Sequence, residues 1–140
     1  MKITKVEIQN YRLLKHFSID IEDRLSLVIG KNNCGKTSLL SALDKFLNLG
    51  VSSFSFDDFN LDYKKELKDN IEETTSTITV TTGISLKLFI EYNATDDLSN
   101  ISKLMMDLDP NKNEICLLFE YILTVEELKN IRTDYKIFKI

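Results

Sequence analysis

Eight consecutive residues, 30–37, constrain this chain more than any other part of its sequence. They read Gly-Lys-Asn-Asn-Cys-Gly-Lys-Thr, the Walker A spacing of a glycine, four residues and Gly-Lys-Thr. Glycines let the backbone curl so that successive N–H groups point at one anion. In such a loop Lys36 reaches the β- and γ-phosphates, and the Thr37 hydroxyl is placed to bind a phosphate-bound Mg²⁺. The motif therefore predicts a site for nucleotide phosphates.

The sequence on both sides of this loop fits the strand–loop–helix arrangement that the motif requires. Residues 25–29, Leu-Ser-Leu-Val-Ile, form a short apolar run that predicts a buried strand. Beyond the loop, apolar residues recur at the spacing of one helix face: Leu39, Leu40, Leu43, Phe46 and Leu47. Gly50 is suited to ending this helix. The alternative, an ordinary strand–turn–helix with an accidental Gly-Lys-Thr, is disfavoured because three independent features agree.

Length and composition limit the class of protein. The chain has 140 residues, of which 43% are hydrophobic, enough for one domain with a core. No apolar run approaches the roughly 20 residues that a membrane span requires, and the N-terminus carries no signal peptide. The two cysteines, Cys34 and Cys116, do not make a disulfide framework. We therefore expect a cytoplasmic protein with no membrane partner.

Charge is distributed unevenly along the chain. The net charge is −4, yet residues 1–50 carry 8 Lys/Arg against 5 Asp/Glu. The part of the chain with an excess of positive charge is thus the part that contains the phosphate loop, as expected for an anion site. Neither half has a basic stripe that would by itself argue for nucleic-acid binding.

Hydropathy patterns and composition predict the remaining elements. Alternating or β-branched runs predict strands at residues 3–9, 16–21, 75–82, 85–92 and 115–121. A turn is predicted at residues 10–12 and loops at 52–60 and 109–113. Residues 63–73 predict either a short exposed helix or a disordered segment, and residues 98–108 a short helix. A capping-box pattern at residues 124–127 opens a last helix.

These features resemble the beginning of an SMC/RecF-like ATPase of the ABC type. The residues that carry the resemblance are Asn10-Tyr11-Arg12 between two strands, the Gly-x-Asn-Asn-x-Gly-Lys-Thr-Ser-Leu-Leu loop, and Ser55-Phe56-Asp57-Asp58-Phe59-Asn60. Asn32 matches the asparagine of the ABC-type loop, whereas Asn33 replaces the glycine that follows it. That variant is more typical of OLD-family nucleases and related antiphage ATPases. The resemblance is specific for residues 1–60 and looser for residues 75–132.

The resemblance implies an α/β fold, the N-terminal lobe of a P-loop NTPase with a mixed or antiparallel β-sheet and a phosphate-loop helix. It divides residues 1–140 into strands, Walker A loop and helix (1–50), a linker (51–74) and further strands and helices (75–140). It implies ATP and Mg²⁺ as ligands, with Thr37 on the metal. The implied nucleotide site comprises Gly30, Lys31, Asn32, Asn33, Cys34, Gly35, Lys36, Thr37, Ser38, Asn10 and Arg12.

Asn10 and Arg12 are assigned to this site because they match positions that lie beside the bound nucleotide in SMC-like ATPases. For Arg12 the alternative is a surface arginine in a turn. The implied partners are a second ATPase head or the remaining C-terminal part, and nucleic acid through the complete protein. The implied function is DNA-directed work in antiphage defence or DNA repair. The alternative is a self-standing interaction module that binds ATP without turnover.

Several motifs of the resembled family are missing from this sequence. None of the four glycines are adjacent, so a signature loop is absent, and the only glutamine, Gln9, precedes the first helix. Residues 115–120 lack the aspartate of a Walker B strand, so Glu120 is either a catalytic base or, more simply, the solvent-facing end of a core strand. Asp57 or Asp58 either contacts Mg²⁺ through water or belongs to a solvated linker. We therefore expect this chain alone to bind ATP without hydrolysing it efficiently.

Overall fold

A computed structural model describes residues 1–24, 26, 35–48, 54–72, 83–99 and 113–138. Within these ranges the strands are β1 (Lys2–Tyr11), β2 (Leu14–Asp20), β3 (Ile84–Glu91) and β4 (Glu114–Tyr121). The helices are α1 (Lys36–Leu47), α2 (Leu61–Glu72) and α3 (Val125–Phe138), and a 3₁₀ turn spans Phe56–Asp58. No helix in the described ranges is long and apolar enough to cross a membrane.

The four strands form one antiparallel sheet in the order β2-β1-β3-β4. Ile8 of β1 lies opposite Phe17 on one side and Leu86 on the other. Because side chains alternate between the two faces of a strand, this register places the buried apolar residues of the sheet on one face, among them Val6, Ile8, Leu86 and Leu88. The strands at residues 3–9, 16–21, 85–92 and 115–121 are thereby confirmed.

Helix α1 packs on this apolar face. Its buried residues Leu39, Ala42 and Phe46 lie in one core with Val6 and Leu88 of the sheet. A buried aliphatic or aromatic side chain of this kind contributes about 1.5–3 kcal/mol by leaving water. The helix predicted after the phosphate loop is thus confirmed, and the α/β fold with an antiparallel sheet is as expected.

The two later helices also agree with the sequence. For residues 63–73 the sequence left a short exposed helix or a disordered segment open. The structure shows helix α2 there, with Tyr63 and Leu67 buried. At the start of α3, Glu127 Oε2 accepts hydrogen bonds from the Thr124 N–H (2.7 Å) and hydroxyl (2.8 Å). The Glu127 N–H donates back to Thr124 Oγ1 at 3.2 Å. The predicted capping box is therefore confirmed.

One prediction of local structure is wrong. The turn expected at residues 10–12 lies instead at Arg12 and Leu13, because β1 continues through Tyr11, which bridges to Phe59. The loop expected at residues 52–60 includes the 3₁₀ turn, and α2 lies within residues 51–74, whose role as a linker stays a prediction. The strands predicted at 25–29 and 75–82, the helix at 98–108 and the loop at 109–113 fall almost entirely outside the described residues, as does Gly50.

Gly83, at the start of β3, is required for close packing against the end of β4. A Cβ added at Gly83 would lie 1.9 Å from the Tyr121 carbonyl oxygen and 2.8 Å from Ile122 Cα. We expect Gly83→Ala to lower the free energy of unfolding by about 1–3 kcal/mol, since backbone must shift to admit the methyl group. Urea unfolding measures this loss. Ser18→Ala, on the exposed side of β2, is the control, and equal stability of the two variants would contradict the prediction.

Candidate nucleotide-binding site

Helix α1 begins at Lys36, the lysine of the Walker A pattern. The preceding Gly35 has φ 89°, a left-handed conformation that glycine adopts without strain. The first turn of α1 contains no acidic residue, and no side chain caps it among the described residues. The N–H groups at a helix N-terminus lack intrahelical partners and carry a partial positive charge. This end of α1 therefore suits an anion.

The predicted nucleotide site includes nine consecutive residues, 30–38, and the structure describes four of them. Gly35 and Ser38 are buried, the Lys36 side chain is half-buried and Thr37 is exposed. The other five lie outside the described residues: Gly30, Lys31, Asn32, Asn33 and Cys34. In the described ranges no group of three or more His, Cys, Asp or Glu side chains could hold a metal ion. The exposed hydroxyl of Thr37, in the first turn of α1, fits a Mg²⁺ carried by nucleotide phosphates.

The hairpin between β1 and β2 packs against the end of this loop. A Cβ added at Gly35 would lie 2.8 Å from Leu14 Cδ2 and 3.9 Å from Leu13 Cβ. Tyr11 also reaches α1, since its hydroxyl lies 2.8 Å from Ser41 Oγ. The structure thus brings Leu13 and Leu14 of the hairpin next to the start of α1.

Asn10 is buried and its side chain bonds within the protein. The side-chain Nδ2 of Asn10 donates to the Gly83 carbonyl at 3.1 Å, and the main-chain carbonyl of Asn10 accepts the Asn60 N–H at 2.9 Å. Its φ of 58° is left-handed, a conformation in which asparagine is enriched. These contacts hold the end of β1 in place, and a contact of Asn10 with nucleotide stays a prediction.

Arg12 lies in the turn but is more than a surface arginine. Its Nε and Nη2 lie 3.0 and 2.9 Å from Asp58 Oδ1, and its guanidinium carbon lies 5.1 Å from the Tyr11 ring centre. Its side chain remains 40% exposed. The guanidinium is therefore bound on one side and open to solvent on the other, and its role beside nucleotide stays a prediction.

Asp58 binds two cations and the start of its own turn. Besides Arg12, its carboxylate accepts Lys45 Nζ at 2.7 Å and the Ser55 N–H at 2.9 Å, and its side chain is 2% exposed. Burial alone would raise the pKa of Asp58, but the hydrogen bonds from Lys45, Ser55 and Arg12 outweigh it and lower the pKa from 3.8 to about 2. Asp58 is therefore ionised at neutral pH.

The prediction of a solvated linker is thus wrong for Asp58. Its oxygens are occupied by protein donors, which leaves a water-mediated contact with Mg²⁺ without support. Asp57 is the solvated residue of the pair, since its side chain is 98% exposed and lies 3.8 Å from Lys64. The pattern Ser55-x-x-Asp58 could have indicated the turn, because it is a capping-box spacing and the structure forms that box.

Glu120 lies on the exposed face of β4, the last strand of the sheet order among the described residues. It is exposed and pairs with Ser85, whereas its neighbours Phe119 and Tyr121 pack towards the core. Because successive side chains point to opposite faces, Glu120 is on the face away from α1. This placement agrees with the solvent-facing end of a strand rather than with a catalytic base at the start of α1.

The chain matches the family model described as AAA ATPase domain over residues 1–139, and it belongs to this family. It is 29% identical over 119 residues to endonuclease GajA of Bacillus cereus (strain HuB5-5), covering 79% of this chain and 17% of GajA. It is 40% identical over 43 residues to the DNA replication and repair protein RecF of Bacillus mycoides (strain KBAB4), covering 31% of this chain and 12% of RecF. The resemblance to RecF-like ATPases and OLD-family nucleases is confirmed.

This chain is also similar to a solved structure from a study of the ATP-driven dimerization and DNA-stimulated activation of SMC ATPases. The match covers 95% of this chain and 78% of the other, with a TM-score of 0.43 and 14% sequence identity. The chain spans less than a fifth of the length of the GajA and RecF proteins named above.

Proposed function

We propose that this chain is the ATP-binding N-terminal part of an ATPase that works on DNA, in antiphage defence or DNA repair. One observation carries the proposal: α1 begins at the Walker A lysine, directly after a left-handed Gly35, with no acidic residue in its first turn. Membership of the ATPase family supports nucleotide binding. The relatives are named as an endonuclease and a DNA replication and repair protein, which supports DNA as the object of the work.

In this proposal the start of α1 receives the nucleotide phosphates. The Lys36 ammonium would bind the β- and γ-phosphates, and the N–H groups at the start of α1 would point at the same anion. The Thr37 hydroxyl would supply one oxygen ligand to a Mg²⁺ bound with the nucleotide. The metal neutralises phosphate charge when it is bound. These contacts hold ATP in its ground state, and uniform binding of that kind does not raise the rate of hydrolysis.

Hydrolysis in this proposal needs groups from a second ATPase head or from the rest of the protein. A catalytic base must orient the attacking water, and added positive charge must stabilise the γ-phosphate in the transition state. Glu120 lies on the wrong face of the sheet for the first task. We therefore assign to this chain the binding of ATP and Mg²⁺, and to the complete protein the turnover that drives work on DNA.

Thr37→Val tests the metal contact. Valine keeps the shape of threonine without its hydroxyl. We therefore expect the factor by which Mg²⁺ raises affinity for a non-hydrolysable ATP analogue to be about tenfold larger in the unmodified chain than in the variant. Affinity without Mg²⁺ should be the same for both. Isothermal titration with and without Mg²⁺ measures this difference, and Thr133→Val, at an exposed position of α3, is the matched control. An equal Mg²⁺ effect in Thr37→Val and the unmodified chain would exclude this ligand.

A further inference from the structure

We propose that Asp58 is a positioning residue for the nucleotide site. By binding Arg12 and Lys45 together, Asp58 fixes helix α1 against the β1–β2 hairpin and thereby sets the position of Gly35 and Lys36. This inference rests on the proposed function, because it concerns the affinity of the same site for ATP. Asp58 itself touches no phosphate in this proposal.

The first step is that Asp58 joins elements distant in sequence. Oδ1 accepts the guanidinium of Arg12, 46 residues away in the hairpin turn, and Oδ2 accepts the ammonium of Lys45, 13 residues away in α1. Oδ2 also accepts the Ser55 N–H, which anchors the carboxylate in its own turn. The Asp58 side chain is only 2% exposed, and hydrogen bonds between charged groups are stronger in such a buried place than in bulk water.

The second step is that the hairpin turn depends on the segment around Asp58. The Arg12 N–H donates to the Asp58 carbonyl at 2.8 Å, and Asn60 Nδ2 donates to the Arg12 carbonyl at 2.6 Å. Arg12 has φ 46°, a left-handed conformation that is uncommon for a residue with a long side chain. Such a conformation persists only where its surroundings impose it. Here both backbone groups and the side chain of Arg12 are held by residues 58–60.

The third step connects this turn to the phosphate loop. Leu14, two residues after Arg12, lies in direct contact with the place where Gly35 precedes α1. Lys45 lies in the last turn of the same helix, about 14 Å along its axis from Lys36. Helix α1 is thus held at its start by the hairpin and near its end by Asp58. A change at Asp58 therefore affects the contacts at both ends of α1, the helix whose first turn binds the phosphates in the proposed function.

The fourth step concerns charge. One carboxylate binds two cations, so a neutral residue at position 58 leaves Arg12 and Lys45 close together without their counter-charge. Like charges at this range repel. Arg12 is 40% exposed and can turn towards solvent, whereas Lys45 is 14% exposed and has less room. The hairpin turn is therefore the part that we expect to move, and Leu13 and Leu14 move with it.

Asp58→Asn tests this positioning role against Asp57→Asn, the same change at the exposed neighbour. We expect Asp58→Asn to weaken binding of the Mg²⁺-bound, non-hydrolysable ATP analogue about tenfold, as a coupling of this kind does. Asp57→Asn should leave affinity unchanged. Leu67→Ala, in the core of α2, is a second control that lowers stability without touching the cluster. All titrations are run at a temperature where circular dichroism shows each variant folded.

Lys45→Met is the second test variant, which also serves if Asp58→Asn does not fold. Lys45 is too far from the start of α1 to touch phosphate, so a loss of affinity in this variant reports position alone. Unchanged affinity in both Asp58→Asn and Lys45→Met would overturn the role of Asp58 while leaving the proposed function intact. An equal loss in Leu67→Ala would overturn it as well, because affinity would then follow stability. Absence of binding by the unmodified chain would instead refute the proposed function.

Discussion

Replacing Lys36 by alanine will weaken binding of ATP by about 10- to 100-fold. A hydrogen bond to a charged group is worth about 1.5–3 kcal/mol, and this energy corresponds to that range of affinity. In the structure Lys36 is the first residue of α1 and its side chain is half-buried. Alanine is the best helix former, so the variant should keep its fold. The loss is therefore expected in affinity and not in stability.

Isothermal titration with a non-hydrolysable ATP analogue and Mg²⁺ measures this loss. Lys65→Ala is the matched control, because it removes the same charge from α2, where the Lys65 side chain is 78% exposed and 3.9 Å from Asp62. We expect the control to bind like the unmodified chain. If Lys36→Ala also bound with unchanged affinity, the assignment of residues 30–37 as a phosphate loop would have to be abandoned.

The sequence was informative wherever local pattern decides the structure. The alternation of apolar residues in β1 and the helical spacing of Leu39, Leu43 and Phe46 are properties of short segments, and the structure follows them. The start of α1 at Lys36 was likewise predictable, because the Walker A spacing fixes where the loop ends and the helix begins. These features define the candidate site before any tertiary contact is considered.

Tertiary contacts decided the features that the sequence did not reveal. Asp58 follows another aspartate in a polar segment, so composition indicated solvent, yet the structure buries it between cations 46 and 13 residues away. Asn10 bonds to the carbonyl of Gly83, 73 residues away, which no local pattern can indicate. The distinction between Asp57 and Asp58 arises only once the hairpin, α1 and the 3₁₀ turn meet.

Helix α2 shows a related limit of sequence patterns. Its charged sequence left a short exposed helix and a disordered segment both open, and in the structure its buried residues are Tyr63 and Leu67. The Tyr63 ring stacks on Phe59, with ring centres 5.2 Å apart, and Phe59 lies before the helix in an irregular segment. A helix with so narrow an apolar stripe depends for its stability on packing against other segments, and its own hydropathy pattern does not reveal those segments.

At neutral pH, Asp58→Asn will lower the free energy of unfolding by about 2–3 kcal/mol. Removing one partner of a buried ion pair costs about 3–5 kcal/mol, and a somewhat smaller loss is expected here because Arg12 is 40% exposed and can be solvated. Asp57→Asn, whose native side chain is 98% exposed, should change stability by about 0.5 kcal/mol or less. Urea unfolding of both variants at pH 7 makes the comparison, and equal stability of the two would contradict the buried cluster.

The same cluster predicts how stability depends on pH. The pKa of Asp58 is about 2 in the folded chain against 3.8 as the ordinary value, so the folded state holds this proton more weakly than the unfolded state. The ionised carboxylate therefore contributes about 2 kcal/mol that is complete above about pH 5 and is lost as the pH falls through 3.8 towards 2.

The difference in free energy of unfolding between the unmodified chain and Asp58→Asn should accordingly shrink on acidification, with about half of the pH-dependent part gone by pH 3. Other carboxyl groups with lowered pKa values do not disturb this measurement, because both proteins share them: Asp62, Asp96, Asp97 and Glu127. Urea unfolding at pH 6, 4 and 3 gives the difference directly. A difference that stayed constant from pH 6 to pH 3 would show that Asp58 does not act through its negative charge, and the electrostatic support of the hairpin and α1 would have to come from other groups.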